Sequence, residues 1–219
     1  MLSAVEIESG QTIKKSIIWL HGLGADGHDF VPITKELQLP STLAIRFIFP
    51  HAPLIPVTIN NGYVMRAWYD VTSLTNISHI DKPRIIASIS SIESLIEKEV
   101  SRGLQSNDIF LAGFSQGAVI ALTAGLRFQK PLAGIIALSG YFPLAEETLS
   151  LASVNTHLPI FLAHGTEDPV VPFILGEMAY QQLVKANYPV DWHSYPMPHS
   201  VCAAEIKDIS QWISAHDKK

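Results

Sequence analysis

Short, almost uninterrupted apolar runs alternate along this chain with longer stretches in which apolar positions recur every three or four residues. Ile, Val, Leu and Phe fill the short runs nearly continuously, which is typical of strands covered on both faces. Strands that alternate with amphipathic helices indicate βαβ units and a mostly parallel sheet, so we predict an α/β fold. The predicted strands are Ser16–Leu20, Leu43–Phe49, Asp108–Ala112, Ala133–Leu138, Pro159–His164 and Val190–Tyr195.

Four helices are predicted between these strands. Their apolar positions form one stripe, as at Ile85, Ile89 and Ile92, which a helix packed against a sheet requires. The predicted helices are Pro83–Arg102, Gln116–Phe128, Pro172–Ala186 and Ser200–Ala215. His51–Tyr63 fits neither pattern because Pro, Asn and Gly interrupt it, so we predict a loop there. The apolar segment Leu54–Ile59 within it indicates a loop that is packed down or functional.

Composition and charge narrow the class of protein. The 219 residues are 47% hydrophobic and 16% charged, against a usual charged share of about 25%. The chain can therefore bury a sizeable core, and its length without a linker predicts a single domain over residues 1–219. The net charge is −5 and no basic cluster is longer than two residues. This pattern argues against a nucleic-acid-binding surface.

The location of the protein is also constrained by its sequence. Cys202 is the single cysteine, so an internal disulfide is impossible and a reducing compartment fits. The N-terminus lacks a basic segment followed by an apolar run, and the longest apolar runs fall far short of the roughly 20 residues that span a bilayer. We predict a soluble cytoplasmic protein, for which the low charged fraction makes a homodimer plausible.

The sharpest chemical signal is a Gly-x-Ser-x-Gly motif formed by Gly113, Ser115 and Gly117. It follows a predicted strand and opens a predicted helix, which is the context of the nucleophile elbow in α/β-hydrolases. The glycines allow a tight turn that exposes the serine hydroxyl above the sheet edge. We therefore predict that Ser115 is a nucleophile.

A serine hydroxyl needs a base, and the order along an α/β-hydrolase chain is nucleophile, acid, histidine. His199 lies between the last predicted strand and the last predicted helix, where the base belongs. Asp168 follows the strand Pro159–His164, with Glu167 as the alternative acid. The other histidines after Ser115 are better explained by structural positions; they are His157, His164, His193 and His216.

Acyl transfer also needs N–H donors for the oxyanion. Gln116 supplies one because it follows the nucleophile, and Leu23 supplies the other from the Gly-rich loop after the first predicted strand. The imidazole of His21 is expected to hold this loop by hydrogen bonds. His21 and His28 are seven residues apart in this loop, which is a weak metal signal, so we predict no metal site.

Six ordered motifs resemble the phospholipase/carboxylesterase family of α/β-hydrolases, which includes bacterial carboxylesterases and acyl-protein thioesterases. The motifs are His21–Phe30, Phe49–Pro53, Arg66–Asp70, Gly113–Gly117, His164–Pro172 and His199–Cys202. The resemblance implies an α/β-hydrolase fold with a mostly parallel central sheet flanked by helices and no large cap domain. It implies the triad Ser115, Asp168 and His199, with Leu23 and Gln116 as oxyanion donors.

The resemblance further implies an acyl-binding groove. Residues matching its lining, beside Leu23, are Trp68, Leu74, Tyr141 and Val170, with Leu54–Ile59 as a flexible cover. Large apolar residues of an α/β domain are equally expected in the core.

The predicted function is a serine hydrolase of carboxylic esters or thioesters that forms an acyl-enzyme and needs no cofactor. Its substrate would be a small-molecule ester, a lysophospholipid or an acylated protein, and the sequence does not choose among them. The alternative is a non-catalytic protein of the same fold that binds an apolar ligand or partner. Transient membrane contact through Leu54–Ile59 is compatible with either function.

Overall fold

The computed structural model describes residues 2–73 and 80–217. The strands are β1 (Ala4–Glu8), β2 (Lys15–Leu20), β3 (Ile45–Pro50), β4 (Leu54–Val57), β5 (Tyr63–Arg66), β6 (Ile109–Phe114), β7 (Gly134–Leu138), β8 (Ile160–Gly165) and β9 (Val190–Tyr195). The α-helices are α1 (Ile33–Glu36), α2 (Lys82–Ser101), α3 (Gln116–Arg127), α4 (Ala145–Leu151), α5 (Phe173–Lys185) and α6 (Ala203–Ala215). None of these helices combines the length and the apolar character needed to cross a bilayer.

Seven strands form one sheet in the order β1-β3-β2-β6-β7-β8-β9. All neighbours in it are parallel except β1, which runs antiparallel to β3 at one edge. The α/β-hydrolase fold and the six predicted strands are thereby confirmed, with small shifts at strand ends. In the parallel part, β2, β6, β8 and β9 end at the same edge, where the loops bearing the predicted chemistry begin.

Hydrophobic side chains cover both faces of the sheet. Ile18 and Leu20 of β2 point into one core with α2 and α3, whereas Ile17 and Trp19 point into the other with α1 and α6. All four residues are fully buried. The alternation explains why the inner strands are apolar at nearly every position, since neither face of the sheet meets water there.

The four predicted helices are present, and the largest difference is at the start of the last one. The helix predicted from Ser200 begins at Ala203, because the Ser200 N–H donates to the Pro198 carbonyl in a turn, and Cys202 is the N-cap. Strand β1 and the short helices α1 and α4 were not predicted. Strand β1 has only five residues and is partly exposed, so it lacks the continuous apolar run of the inner strands.

The prediction of a loop over His51–Tyr63 is wrong in part. Leu54–Val57 pairs antiparallel with Tyr63–Arg66 as a two-stranded hairpin, β4–β5. The connection between the strands has five residues, Thr58–Gly62, and its last two, Asn61 and Gly62, have positive φ, 55° and 75°, which Asn and Gly adopt most readily. Pro56 is tolerated because this ladder has only two strands and each is an edge.

Glu205 is a fully buried carboxyl group in the first turn of α6, close to the loop that bears His199. Burial raises its pKa to about 8; the Cys202 backbone N–H opposes this shift and the Asp208 carboxylate adds to it. An unfolded glutamate ionises near 4.5. Between these two values the folded protein therefore holds a proton that the unfolded chain releases, so stability falls as pH rises through this window.

We expect Glu205→Gln to remove most of this pH dependence, because the neutral amide cannot ionise. Urea unfolding at about pH 5 and about pH 8 measures it: the wild-type protein should lose stability at the higher pH, and the variant should lose clearly less. Glu36→Gln, at an exposed position of α1, is the control and should behave like wild type. Equal losses in Glu205→Gln and wild type would contradict a protonated Glu205.

Candidate active site

Ser115 occupies a strained turn between β6 and α3, with φ 56° and ψ −119°. A non-glycine residue in this region costs on the order of 1–3 kcal/mol and indicates a constrained functional position. The Ser115 N–H donates to the Leu138 carbonyl over 2.8 Å, which holds the turn against β7. A Cβ at Gly113 would collide with the Gly117 carbonyl, and one at Gly117 with the Leu20 and His21 carbonyls. The two glycines of the motif are therefore required by close backbone contact.

The residues predicted as nucleophile, base and acid form one hydrogen-bonded series. His199 Nε2 lies 2.9 Å from Ser115 Oγ, and His199 Nδ1 lies 2.6 Å from Asp168 Oδ2. His199 follows β9 and Asp168 follows β8, so neighbouring parallel strands deliver both side chains to the edge where β6 delivers Ser115. Glu167, the alternative acid, is exposed and lies outside this series.

The Asp168 carboxylate is completely buried yet well supplied with donors. Its Oδ1 accepts the backbone N–H groups of Val170 and Val171 over 2.8 and 2.9 Å. His164, also buried, has Nε2 2.9 Å from the Val171 carbonyl and 3.5 Å from Asp168 Oδ2. Burial lowers the pKa of His164, which favours a neutral ring that donates from Nε2. The N–H groups fix the carboxylate so that Oδ2 faces His199.

This arrangement has the polarity needed for proton transfer from serine to histidine. With Nδ1–H donating to Asp168, the His199 Nε2 lone pair is free to accept the Ser115 hydroxyl proton. The Phe114 ring lies 4.7 Å from the imidazole, centre to centre, and limits its rotation. Sequence reasoning missed Phe114, although its place between Gly113 and Ser115 makes contact with the base predictable.

The backbone N–H groups of Leu23 and Gln116 border the same space. Both residues line the cavity at Ser115, and neither N–H donates to another residue that the structure describes. His21 is buried, with Nδ1 2.7 Å from the Gly22 carbonyl, and its Nε2 accepts the Ala52 N–H over 3.1 Å. Burial lowers the pKa of His21, so the ring is neutral and makes both hydrogen bonds. Both N–H groups therefore remain available to an acceptor in the cavity beside the Ser115 hydroxyl.

A cavity of about 300 Å³ opens next to Ser115 and His199. Three of the predicted groove residues, Leu23, Tyr141 and Val170, line it, and Leu74 lies outside the described residues. Further lining comes from residues that sequence reasoning did not assign to the groove: Tyr69, Val71, Phe114, Val171 and Leu175. The Tyr69 and Tyr141 hydroxyls are 3.1 Å apart, so one donates to the other and together they form part of the wall.

The prediction that Trp68 lines the groove is wrong. Its side chain is 1% exposed and points into the core, where its indole N–H donates to the His21 carbonyl over 2.9 Å. The next residue, Tyr69, faces the cavity instead. The cover predicted for Leu54–Ile59 also differs, because none of its residues lines this cavity. They belong to the β4–β5 hairpin, of which Val57 is fully buried.

Within the described residues, Asp26, His28 and His51 bring potential metal-ligand atoms within 4.8 Å of one another. Each imidazole already uses its Nδ1 in a hydrogen bond. His51 Nδ1 accepts the Gly27 N–H over 3.1 Å, and His28 Nδ1 lies 3.1 Å from Asp26 Oδ1. These bonds join His51 and Asp26 to the turn after the loop that carries Leu23, and the absence of a metal site stays a prediction.

Comparison with known proteins supports the same class as the sequence motifs. The phospholipase/carboxylesterase family profile matches residues 3–217. An acyl-protein thioesterase 1 of Yarrowia lipolytica is 37% identical over 222 residues, covering 99% of this chain and 98% of that protein. The corresponding enzyme of Cryptococcus neoformans is 35% identical over 230 residues, covering 97% and 96%.

Solved structures agree with this comparison. The crystal structure of the Arabidopsis thaliana protein SOBER1 has a TM-score of 0.88 and 33% identity, covering 94% of this chain and 100% of that one. A carboxylesterase named SOBER1 from the same plant is 34% identical over 201 residues. The predicted class, a serine hydrolase of carboxylic esters or thioesters, is confirmed at the level of the family, while the roles of individual residues stay predictions. By sequence and by fold, the chain belongs to the phospholipase/carboxylesterase family of α/β-hydrolases.

Proposed function

We propose that this enzyme cleaves acyl esters and thioesters with Ser115 as the nucleophile. His199 takes the hydroxyl proton while Ser115 Oγ attacks the acyl carbonyl, and Asp168 stabilises the resulting imidazolium. The Leu23 and Gln116 N–H groups hold the negative oxygen of the tetrahedral intermediate. His199 then protonates the leaving alcohol or thiol. Water, deprotonated by His199, releases the acid from the acyl-enzyme.

The observation that carries this proposal is the hydrogen-bonded series from Ser115 through His199 to Asp168 at the mouth of the cavity. Its two distances, 2.9 and 2.6 Å, are those of a base poised to take the serine proton. A protein that only binds an apolar ligand has no use for a strained serine aligned with a histidine and a buried aspartate.

For the substrate we propose acylated proteins, with small-molecule esters and lysophospholipids as the second candidates. Relatives that match nearly the whole chain are named acyl-protein thioesterases. A cavity walled by Val71, Val170 and Leu175 suits the apolar acyl chain rather than the polar leaving group. A lipidated cysteine could then present its thioester at Ser115 while the protein part stays outside.

We expect Ser115→Ala to lower kcat by about 10⁶ on p-nitrophenyl esters, because the nucleophile is lost. A fluorophosphonate probe should label the wild-type protein and not the variant. The control is Ser90→Ala, at an exposed position of α2, which should be labelled normally. Failure of the folded wild-type protein to react with the probe would refute the proposal and favour a non-catalytic binding protein.

We expect Leu175→Trp to shorten the longest acyl chain that the enzyme accepts, because the larger side chain fills the cavity. With matched thioesters and oxygen esters from acetyl to palmitoyl, kcat/KM for the long chains should fall by about tenfold or more, and acetyl should change little. The control is Ile174→Trp, since Ile174 is 56% exposed and outside the cavity wall. Loss of activity on all chain lengths alike would show that the acyl chain binds elsewhere.

We propose further that the β4–β5 hairpin contacts a membrane surface while the enzyme acts. Leu54 and Val64 share the outer face of this hairpin and are 63% and 56% exposed. The Gly24 N–H donates to the Arg66 carbonyl over 2.9 Å and joins the hairpin to the loop bearing Leu23. A homodimer and a cytoplasmic location stay predictions, for which sedimentation velocity and cell fractionation are the direct measurements.

We expect the double variant Leu54→Ser and Val64→Ser to bind phosphatidylcholine vesicles about tenfold more weakly, because two apolar side chains are lost from the contact. Co-sedimentation with vesicles measures the binding. The matched control is Leu151→Ser with Val154→Ser, which changes residues that are 46% and 42% exposed outside the hairpin. Equal pelleting of both double variants would reject the hairpin as the contact.

A further inference from the structure

Trp68 lies between the two chain segments that supply the proposed oxyanion donors. Its indole Nε1–H donates to the His21 carbonyl over 2.9 Å, and its backbone N–H donates to the Gln116 side-chain Oε1 over 2.8 Å. One residue is thus hydrogen-bonded to the loop that contains Leu23 and to the first residue of α3.

Both contacts act close to an oxyanion donor. His21 is two residues before Leu23, and its ring Nδ1 donates to the Gly22 carbonyl over 2.7 Å. This carbonyl belongs to the same planar peptide unit as the Leu23 N–H, so fixing one fixes the direction of the other. Gln116 carries the second donor on its own backbone. Its side-chain amide contacts both Trp68 and Tyr69: Oε1 accepts the Trp68 N–H, and Nε2 donates to the Tyr69 carbonyl over 2.7 Å.

Trp68 is itself held firmly. It is 1% exposed, its carbonyl accepts the Ser88 hydroxyl of α2 over 2.6 Å, and its ring lies 5.3 Å from the His21 imidazole. Every polar group of this residue is therefore satisfied by a different element. A residue anchored in this way can fix the separation of the segments that it joins.

We propose that Trp68 is a positioning residue of the oxyanion hole, which rests on the proposed function of Leu23 and Gln116. Its indole N–H keeps the His21 carbonyl, and with it the Leu23 N–H, at a fixed distance from the Gln116 N–H. Donors that are already in place stabilise the developing oxyanion at no cost of reorganisation. Without the indole donor, the buried His21 carbonyl loses a partner, and the loop shifts to satisfy it.

The effect is specific to the transition state. The substrate is held mainly by its acyl chain in the cavity, whereas the negative oxygen exists only during the reaction. A loop displaced by a fraction of an ångström therefore lowers kcat and leaves KM nearly unchanged.

The test compares the same substitution at two buried tryptophans, one in the core on each face of the sheet. Trp68→Phe removes the donor to His21. Trp19→Phe removes an indole N–H that has no acceptor among the described residues, at a position that is equally buried. We expect kcat of Trp68→Phe to fall by about 10- to 100-fold with KM within about twofold of wild type. Trp19→Phe should keep wild-type kcat.

A second measurement separates oxyanion binding from general damage to the fold. An alkyl trifluoromethyl ketone forms a tetrahedral adduct with Ser115 whose oxyanion occupies the proposed hole. Its inhibition constant should rise in Trp68→Phe by the same factor by which kcat/KM falls, and it should be unchanged in Trp19→Phe. If Trp68→Phe does not fold, benzothienylalanine at position 68 replaces the indole N–H by sulfur at nearly constant shape and takes its place.

The outcomes distinguish this inference from the proposed function. Equal kcat values for Trp68→Phe and Trp19→Phe, or a loss that appears only in KM, would overturn the role of Trp68 and leave Ser115 as the nucleophile. Failure of the proposed function appears elsewhere, as unchanged activity in Ser115→Ala. A fall in kcat without weaker binding of the ketone would equally reject a role in the oxyanion hole.

Discussion

Direct contact between backbones at Gly113 and Gly117 determines where the Ser115 hydroxyl can lie. With no side chain at either position, the first turn of α3 approaches the end of β2 and the end of β6 at once. The turn between them has no room to relax, and Ser115 is held at φ 56° by its bond to Leu138 and by the strands around it. This strain costs on the order of 1–3 kcal/mol, which is small beside the free energy gained by burying the apolar side chains of the sheet. The packed sheet therefore keeps Ser115 in its strained conformation.

The same contact brings two electrostatic elements together. On one side of Ser115 stands the imidazole of His199, oriented by a carboxylate whose other oxygen is occupied by two backbone N–H groups. Leu23 and Gln116, whose N–H groups are the proposed oxyanion donors, line the same cavity as Ser115 and His199. The ends of the parallel strands below hold these segments next to one another.

Much of this arrangement could be predicted because it follows from the ends of parallel strands. Asp168 follows a buried apolar run, β8, which is easily recognised in a sequence, and His199 follows the less buried strand β9. Carboxyl ends of parallel strands share one edge, so their approach to Ser115 was predictable, although the distances were not. The hairpin β4–β5 was missed because Pro53 and Pro56 indicate a loop, and pairing between two short strands depends on the turn rather than on apolar character.

Trp68 shows a different limit of sequence reasoning. A motif identifies the pair Trp68–Tyr69 without saying which ring faces the cavity. That choice is made by hydrogen bonds to His21, Ser88 and Gln116, which are 20 to 48 residues away along the chain. Composition and spacing contain no information on such contacts, so the larger and more apolar ring was assigned to the groove when it belongs to the core.

Val170 belongs both to the wall of the cavity and to the group of N–H donors around the Asp168 carboxylate. Its side chain forms part of the cavity wall, while its N–H donates to Asp168 Oδ1 over 2.8 Å. Any change of backbone conformation here reaches the carboxylate that orients His199. Selection for a new acyl length therefore meets a constraint at this position that it does not meet at Leu175, whose N–H donates to the Pro172 carbonyl instead of to the acid. We therefore expect substitutions that change acyl-chain specificity to arise first in α5, as at Leu175, and last at Val170.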